Sequence, residues 1–442
     1  MTVTNWNATA TCDPAREITP SSLEELVSVV KNPAYPSPVR AVGSLHSLNP
    51  CMTTDGTVVQ MKTTPFQSIG TPADGTVTVG AGVTMFDLKN ALRPYGLQIA
   101  VTPEIGNATA GSVACCGTKD ASLMQGSGEA PGQISSTVMG VKMVNARGEI
   151  EEVTEAADPS RMRIIRSSYG LLGIVYEVTF ATCPLQIVSY KPEALPLTNL
   201  TLAQALGPAS GFLGFLFPYH DTLVVERRTL DPGSEPTPLD DFKRATRNRL
   251  WRAGGYPFAE DPVAFDKGFN AFFPLLSFRS YRVDVMIDFK PGGGHFFDFG
   301  FWAFPVSSWG PVIPKYVDFC QQFLTDPAYQ FRPALPTEVY YIKQDRKALL
   351  SFSSEEDIFT LDMVHLLHRP ASPDERLWDE MNRRFNEFAA EYRARPLLNQ
   401  TKQLSKSVVM RTLGADWQTF SAERLNADPD GRFLSRYFKD LL

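Results

Sequence analysis

The chain has 442 residues, more than one hydrophobic core usually holds, so two or three domains are expected. Its net charge is −6 and its basic residues are scattered, which gives no electrostatic surface for nucleic acid or an anionic membrane. Six cysteines without paired spacing do not predict a disulfide framework. The sequence shows no secretory signal and no apolar run of membrane-spanning length, so a cytoplasmic location is expected.

Residues 1 to about 185 alternate short β-like runs with helical segments, which predicts an α+β or α/β domain with many short strands. Ser22, followed by apolar residues at helical spacing, predicts a capped helix. A second helix is expected from Met85 to Tyr95, with Gly96 at its end. The strands expected in this region are 39–42, 57–62, 76–79, 138–145 and 173–180.

Residues from about 186 to 395 differ in composition, because aromatic side chains are concentrated between Trp251 and Phe304. Alternation of polar and apolar residues predicts a strand from Tyr281 to Phe289. Apolar residues on one face predict a helix over 374–392. Most of the aromatic side chains are expected to form core, and the remainder could shape a pocket for an alcohol larger and more apolar than a sugar.

The most informative segment is 40–49, where a buried strand runs into Gly43-Ser44 and a polar loop that contains His46. Glycine tolerates a positive φ, and successive backbone amides in such a turn can form a concave anion site that would suit a pyrophosphate. This signal is weak by itself, since an isolated histidine is more often a hydrogen-bonded structural residue.

Further landmarks accompany this segment in a recognisable order. They are Trp6 near the start, Thr19-Pro20 before the first helix, the R-x-x-G-x-x-H-S loop from Arg40 to Ser47, the strands 56–59 and 76–82, the loop 111–118, the strand and turn 139–148, and the G-x-x-G-x-V element 170–175. Together they resemble the vanillyl-alcohol-oxidase, or PCMH-type, family of FAD-linked oxidases. The likeness is closest to the alditol oxidase and aldonolactone oxidase branch.

This resemblance implies a two-domain α+β fold with FAD as cofactor. The implied parts are a PCMH-type FAD-binding domain at 1–185, a mixed-sheet substrate (cap) domain at 186–400, and a C-terminal segment, 401–442, that returns to the FAD domain. His46 is implied to bond covalently to the flavin. The alternative is that FAD binds noncovalently and that His46 only lines its site. The residues implied to contact FAD are Val42, Gly43, Ser44, Leu45, His46, Ser47, Gly111, Cys115, Cys116, Gly117, Thr118, Gly170, Gly173 and Val175.

The second flavin loop departs from the family pattern. The family usually has T-G-T-H-G there, whereas this chain has Cys115-Cys116-Gly-Thr-Lys-Asp120. The two cysteines are expected to be small packed residues, although their position beside the flavin could influence the access of oxygen. A second covalent link through a cysteine is not expected, because the related branch places that cysteine earlier, near Glu104.

The substrate strand also departs from the pattern. The family has E-x-R, and this chain has Glu338 and then Tyr340, which offers one donor and a large apolar ring in place of a guanidinium. Glu338 is the first choice for orienting or deprotonating a substrate hydroxyl. Tyr340 and Lys402 are secondary catalytic candidates, Lys402 as a positive charge near the flavin.

The resemblance implies oxidation of a CH–OH group of an alcohol, polyol, lactol or lactone by hydride transfer to FAD, with oxygen as the acceptor. Two alternatives stay open: a flavin dehydrogenase with another acceptor, and a flavoprotein that catalyses a biosynthetic cyclisation or rearrangement or has lost activity. The expected partners are a small-molecule alcohol and an electron acceptor. Gly80-Ala-Gly82 lacks the rest of a dinucleotide fingerprint, and His365 and His368 lack further ligands for a metal.

Overall fold

The computed structural model describes residues 2–123, 131–253, 261–288, 296–367 and 374–442. Up to residue 184, short strands alternate with helices. The strands are β1 (Val3–Thr4), β2 (Thr11–Cys12), β3 (Arg16–Ile18), β4 (Val39–Val42), β5 (Thr57–Gln60), β6 (Thr76–Gly80), β7 (Leu97–Ile99), β8 (Val138–Asn145), β9 (Ile150–Thr154) and β10 (Gly173–Pro184). The helices are α1 (Leu23–Lys31), α2 (Met85–Leu92), α3 (Ala110–Cys115) and α4 (Pro159–Ile165).

The ends of the first two helices follow from local sequence. The hydroxyl of Ser22 accepts a hydrogen bond from the backbone amide of Glu25 and caps α1, whose apolar face is buried around Leu26. Beyond α2, a 3-10 turn ends at Gly96, whose φ of 67° is the left-handed conformation that favours glycine. Both predicted helices are confirmed.

The strands up to β10 form three sheets. β1 pairs with β2, and β3, β5 and β4 form a parallel sheet in that order. The third sheet is antiparallel, with the order β6-β10-β8-β9 and β7 attached to β10. β4 ends at Val42, so the loop with His46 leaves the edge of the parallel sheet directly.

The rest of the chain is built around one larger sheet. Its strands are β11 (Ile187–Pro196), β12 (Gly211–Phe217), β13 (Thr222–Leu230), β14 (Phe278–Tyr281), β15 (Phe296–Pro305), β16 (Thr337–Ile342) and β17 (Ile358–Leu367). The helices are α5 (Leu202–Leu206), α6 (Pro238–Ala253), α7 (Pro262–Phe272), α8 (Trp309–Thr325), α9 (Asp374–Glu391), α10 (Lys406–Ala427) and α11 (Arg436–Leu441). In the described ranges, no helix combines the length and the apolar character needed to cross a membrane.

The large sheet has the order β14-β11-β13-β12-β16-β17-β15, and each of its pairings is antiparallel. The two-part α+β architecture agrees with the prediction, but the strand directions differ from the mixed sheet that was expected. β12 and β13 are consecutive in sequence, and the short connection from Phe217 to Thr222 requires them to run antiparallel.

The strand predicted from Tyr281 to Phe289 is wrong. β14 ends at Tyr281, and a 3-10 helix occupies 282–285. The buried guanidinium of Arg282 donates to the backbone carbonyls of Ala100 and Ala121, so a charged residue faces the interior where alternation predicted an exposed one. Residue 289 lies outside the described residues.

The concentration of aromatic side chains is mostly core, as expected. Phe269 packs against Phe265, Phe273 and Phe215, with ring centroids 4.5 to 5.7 Å apart. Other buried members are Phe278, Phe297, Phe301, Trp302 and Phe304. The side chains at 258 and 296 lie outside the described residues, and Phe272 is exposed.

The segment after α10 returns to the first part of the chain. The guanidinium of Arg432 donates to the backbone carbonyls of Val29, Val30 and Tyr35, around the end of α1. The amide of Val39, at the start of β4, donates to the carbonyl of Arg432. Residues near the C-terminus therefore complete the structure around α1 and β4.

Candidate active site

A single large cavity is lined by residues from both parts of the chain. It contains about 1660 Å³ free of protein atoms, counting its open mouth. Every residue that the resemblance implied for FAD contact lines this cavity, and so do Glu338 and Tyr340. Lys402 is not among the lining residues.

The loop that carries His46 is held in a tight conformation. Leu45 has a φ of 56°, and its carbonyl accepts a hydrogen bond of 3.0 Å from the amide of Trp6. Gly43 does not have the positive φ that its place in the motif suggested. A Cβ at Gly43 would lie 2.1 Å from Oγ1 of Thr109, so the glycine is required by close approach of the loop before α3.

The ring of His46 lies half-buried in the cavity wall, with both nitrogens buried, and is 5.7 Å from the ring of Trp6. Burial lowers the pKa of His46 to about 4, with Lys62 acting in the same direction and an interaction with Asn107 opposing it. The imidazole is therefore neutral at neutral pH. Neither of its nitrogens has a hydrogen-bond partner with good geometry, and the same is true of Oγ of Ser44.

Buried polar atoms without partners cost about 1–3 kcal/mol each, so a wall that presents several of them suits a polar ligand. The cavity lining also contains Gly43, Gly111, Gly117, Gly170 and Gly173. At these positions the backbone can approach a ligand without a side chain of its own. The open polar atoms and the bare backbone fit FAD.

Arg40 organises the loops around this wall. Its guanidinium is buried and donates to the backbone carbonyls of Cys51, Tyr169, Gly170 and Phe433. The arginine of the R-x-x-G-x-x-H-S motif therefore acts on loop carbonyls rather than on the cavity itself. It connects the His46 loop, the G-x-x-G element and the C-terminal segment.

The two adjacent cysteines are neutral thiols. Cys115 is buried at the end of α3, and burial raises its pKa to about 11. Burial raises the pKa of Cys116 well above its ordinary value, and the nearby thiols of Cys51 and Cys115 add to the effect. A neutral, buried thiol agrees with a packing role.

Glu338 and Tyr340 lie on one face of β16, because residues two apart on a strand point the same way. The hydroxyl of Tyr340 donates to Oε2 of Glu104 at 2.9 Å, and Oε1 of Glu104 lies 3.3 Å from Nη1 of Arg247. Glu338 also stands directly across from Asp362 of β17 in the sheet register. Three carboxyl groups therefore converge at the inner end of the cavity.

An ammonium group balances part of this negative charge. Nζ of Lys119 lies 2.6 Å from Oδ2 of Asp362 and 3.3 Å from Oε1 of Gln400. It also stands 4.9 Å from the ring centroids of both Phe301 and Tyr340. Lys119 lines the cavity, whereas Asp362 is fully buried behind it.

The carboxyl of Glu338 is strongly perturbed. Burial raises its pKa well above the ordinary value, and the carboxylates of Glu104 and Asp362 raise it further, against the opposing effects of Lys119 and Tyr340. Burial also raises the pKa of Asp362, although the charge of Lys119 opposes the increase. A raised pKa in a cavity wall suits a carboxylate that accepts a proton near neutral pH.

Lys402 lies beside the cavity but serves another contact. Its Nζ is 3.1 Å from Oδ2 of Asp298 and 3.4 Å from the carbonyl oxygen of Leu48. Asp298 also accepts a hydrogen bond from Nε1 of Trp378. The structure therefore separates Lys402 from the residues predicted to act with it, and Lys119 supplies the ammonium in the cavity.

Sequence reasoning did not identify Lys119 or Glu104 as site residues. Lys119 stands where the family has the histidine of T-G-T-H-G, so a signal for it was present. Glu104 lies on a loop and carried none. His365 is packed between Phe331 and Trp378, away from the cavity lining, and residue 368 lies outside the described residues.

Comparisons with known proteins agree with this site. The chain is 29% identical to a D-arabinono-1,4-lactone oxidase of Candida albicans, over 53% of this chain and 44% of that protein. It is 25% identical to an L-gulono-1,4-lactone dehydrogenase of Mycobacterium tuberculosis, over 99% of this chain and 98% of that protein. The fold is that of a solvent-stable cholesterol oxidase, with a TM-score of 0.76, 18% identity, and coverage of 100% of this chain and 97% of that one.

Two family models match separate parts of the chain. The model described as an FAD binding domain matches residues 14–154, and the D-arabinono-1,4-lactone oxidase model matches residues 300–441. The first range contains the His46 loop and α3, and the second contains Glu338, Tyr340 and the C-terminal segment. The chain thus carries a region similar to an FAD binding domain, followed by a region similar to D-arabinono-1,4-lactone oxidase, which is the domain pair that the resemblance to the aldonolactone oxidase branch implied.

Proposed function

We propose that this protein oxidises a CH–OH group of an uncharged hydroxylated lactone, lactol or alcohol, with FAD bonded to His46 and with oxygen as the electron acceptor. One observation carries the proposal. A single cavity joins the neutral imidazole of His46 to the buried carboxyl of Glu338. The first of these suits attachment of a cofactor and the second suits removal of a proton.

The residues that line the cavity indicate which part of the chain would bind the cofactor and which part would bind the substrate. Residues 1–185, with 401–442, would hold FAD through the His46 loop, the segment 111–118 and the element 170–175. The segment 111–118 was expected to be a loop, but most of it belongs to α3. Residues 186–400 would form the substrate domain and contribute Glu338 and Tyr340. Bound FAD supplies an acceptor for the hydride, which carries two electrons from the substrate carbon.

The residues of this chain account for the remaining proton. The ionised carboxylate of Glu338 accepts the hydroxyl proton of the substrate as the carbon becomes a carbonyl. Tyr340, fixed by its bond to Glu104, presents its ring and hydroxyl beside the reacting group. The reduction of oxygen to hydrogen peroxide then takes two electrons and two protons. The transferred hydride accounts for both electrons and one proton, and Glu338 returns the other proton.

The charges of the cavity favour a substrate without a carboxylate. Glu104 and Glu338 line it, and the Lys119 ammonium already pairs with Asp362. An anionic substrate would bring a further negative charge next to Glu104 and Glu338, where the ammonium of Lys119 is already paired. The lactone form of a sugar acid is therefore favoured over its open-chain carboxylate.

The covalent link is tested by acid precipitation of the purified protein. We expect a yellow pellet from the wild type and a colourless one from His46→Ala. If the wild-type protein releases all of its flavin into the supernatant, the covalent bond is contradicted and the FAD site is retained. A protein that contains no flavin, from cells supplied with riboflavin, would overturn the whole proposal.

Substrate and acceptor are tested in separate steps. The oxidised protein is mixed without oxygen with L-gulono-1,4-lactone, D-arabinono-1,4-lactone, sorbitol or cholesterol, and bleaching of the flavin absorption is followed. Air is then admitted and hydrogen peroxide is measured. Fast reoxidation supports an oxidase; slow reoxidation by air, with fast reoxidation by a quinone, supports a dehydrogenase.

The dehydrogenase is the second candidate, because one relative that aligns over nearly the whole chain is named a dehydrogenase, whereas another with similar coverage is named an L-gulonolactone oxidase. A third candidate is a flavoprotein that catalyses a cyclisation or rearrangement, or that has lost activity. It is favoured by the Tyr340 departure and the aromatic region, and it requires that no simple alcohol bleaches the flavin. The cytoplasmic location stays a prediction from the sequence.

A further inference from the structure

We infer that Lys119 binds and orients an oxygen atom of the substrate beside Tyr340, and so determines which hydroxylated compounds the site accepts. The inference deepens the proposed function and rests on it, because it takes the inner end of the cavity as the substrate site. It is carried by the position of Lys119 in the cavity wall and by the number of its hydrogen-bond donors.

The position of the ammonium is fixed from several sides. Asp362 at 2.6 Å and Gln400 at 3.3 Å hold it by hydrogen bonds, and the rings of Phe301 and Tyr340 flank it. A lysine held in this way loses little further freedom when a ligand binds, because its side chain is already ordered. The side chain is 10% exposed, although Asp362 behind it is inaccessible.

The ammonium has one donor more than its described acceptors require. Lysine carries three N–H donors, and two of them are directed to Asp362 and Gln400. The third remains for a group in the cavity that Lys119 lines. An uncharged oxygen, such as a hydroxyl or a lactone carbonyl, is a suitable acceptor, since the carboxylate of Asp362 already compensates the positive charge.

The neighbouring strand explains why such a donor is needed. Tyr340 has one hydroxyl proton, and that proton is given to Glu104. The tyrosine therefore offers no free donor to the substrate in this arrangement. The arginine that the E-x-R pattern has at this position would offer several donors. Lys119, 4.9 Å from the Tyr340 ring, is the cation that can supply the missing donor.

Stopped-flow reduction of the flavin in the holoenzyme tests this role. L-gulono-1,4-lactone and sorbitol are varied without oxygen, which gives a dissociation constant and a limiting rate for each protein. We expect Lys119→Met to retain bound flavin and to raise the dissociation constant about 10- to 100-fold, the value of one hydrogen bond to a charged group. Added methylammonium should restore part of the lost affinity, and Lys119→Arg should retain more of it than Lys119→Met.

Lys343→Met is the matched control. Lys343 also pairs with an aspartate, Asp357 at 2.7 Å, but it does not line the cavity. Its substitution should leave the dissociation constant unchanged, with or without methylammonium. If Lys119→Met does not fold, the double variant Lys119→Met with Asp362→Asn removes the buried carboxylate that would be left alone, and the same measurement is made on it.

Two outcomes would overturn this inference and leave the proposed function standing. One is an active wild type and a Lys119→Met variant with the same dissociation constant. The other is a loss of affinity that methylammonium does not restore and that Lys343→Met shares. A wild type that contains flavin but is not reduced by any of the compounds would instead overturn the proposed function, and this inference with it.

Discussion

The hydroxyl of Tyr340 donates to Oε2 of Glu104 at 2.9 Å, and this bond joins an interior strand of the seven-stranded sheet to the loop that follows β7. The two residues are 236 positions apart in the sequence. Glu104 is also in contact with Arg247 of α6. Three segments thus meet at the cavity wall, where Tyr340 and Arg247 both bind the carboxylate of Glu104.

Tyr340→Phe removes this bond and leaves the ring. We expect kcat/KM to fall about 10-fold and the free energy of unfolding to fall by about 1 kcal/mol, the net value of one hydrogen bond. Tyr341→Phe is the control, since its hydroxyl donates to Asp357 outside the cavity at a similar distance, 2.7 Å. Tyr341→Phe should lose the same free energy of unfolding as Tyr340→Phe, but its kcat/KM should stay at the wild-type value. Equal losses of activity in both variants would contradict a role for the Tyr340–Glu104 bond.

The raised pKa of Glu338 predicts the pH dependence of flavin reduction. The proton acceptor is the ionised carboxylate, so the rate should rise as pH increases through this pKa. Glu338→Gln should remove that limb and lower the rate about 10²- to 10⁴-fold. A pH profile that is the same in Glu338→Gln would assign the proton transfer to another group.

The same carboxyl has an opposite effect on stability. Burial raises its pKa above the value in the unfolded chain, so the native state binds more protons between the two values. Its contribution to stability is complete below the unfolded pKa and is lost as pH rises. Denaturant melts should therefore show Glu338→Gln gaining stability relative to the wild type as pH increases from 5 to 8. A constant difference across this range would show that folding does not raise the pKa of Glu338.

Lys402 is expected to act on stability more than on catalysis. It forms a buried pair with Asp298, and removal of one partner of a buried pair costs about 3–5 kcal/mol. Lys402→Met should therefore lower Tm clearly, whereas Lys343→Met, which breaks a half-exposed pair, should cost about 0–1 kcal/mol. The reduction rate of folded Lys402→Met should fall far less than that of Glu338→Gln. A large loss of rate with an unchanged Tm would restore Lys402 as a catalytic residue.

The cysteines beside the cavity are expected to resist alkylation. The pKa of Cys115 is raised to about 11, so a small fraction of it is thiolate at pH 8. Iodoacetamide should modify Cys115 and Cys116 in native protein much more slowly than in urea, as mass spectrometry of the peptides would show. Rapid labelling of Cys115 in the native protein would mean that the thiol is accessible or ionised.

Much of the cofactor site could be predicted because it is local in sequence. The strand, glycine and histidine of 39–47 are consecutive, and the segment 111–118 and the element 170–175 are similarly compact. Each has a spacing that the backbone geometry requires, and all of them line one cavity. The reason for Gly43 was nevertheless different from the one expected: close approach of Thr109, which no local pattern reveals.

The substrate end was harder because its contacts join distant segments. Glu338 and Tyr340 were identified from one strand, but Glu104 and Lys119 reach them from loops more than 200 residues away in sequence. The sequence does not show which of the two lysines, Lys119 or Lys402, has its ammonium group in the cavity. Only the fold shows that Asp298 holds one of them and that the other faces the cavity.

The bonds of Arg432 to the carbonyls around α1 also constrain the order of events during synthesis. Arg432 is synthesised 402 residues after Val30, so β4 and the His46 loop lack these neighbours while the intervening chain is made. Binding of FAD should therefore follow the synthesis of residues 428–433. A premature stop before residue 428 would yield a colourless chain, even though every residue predicted to contact the cofactor had been made.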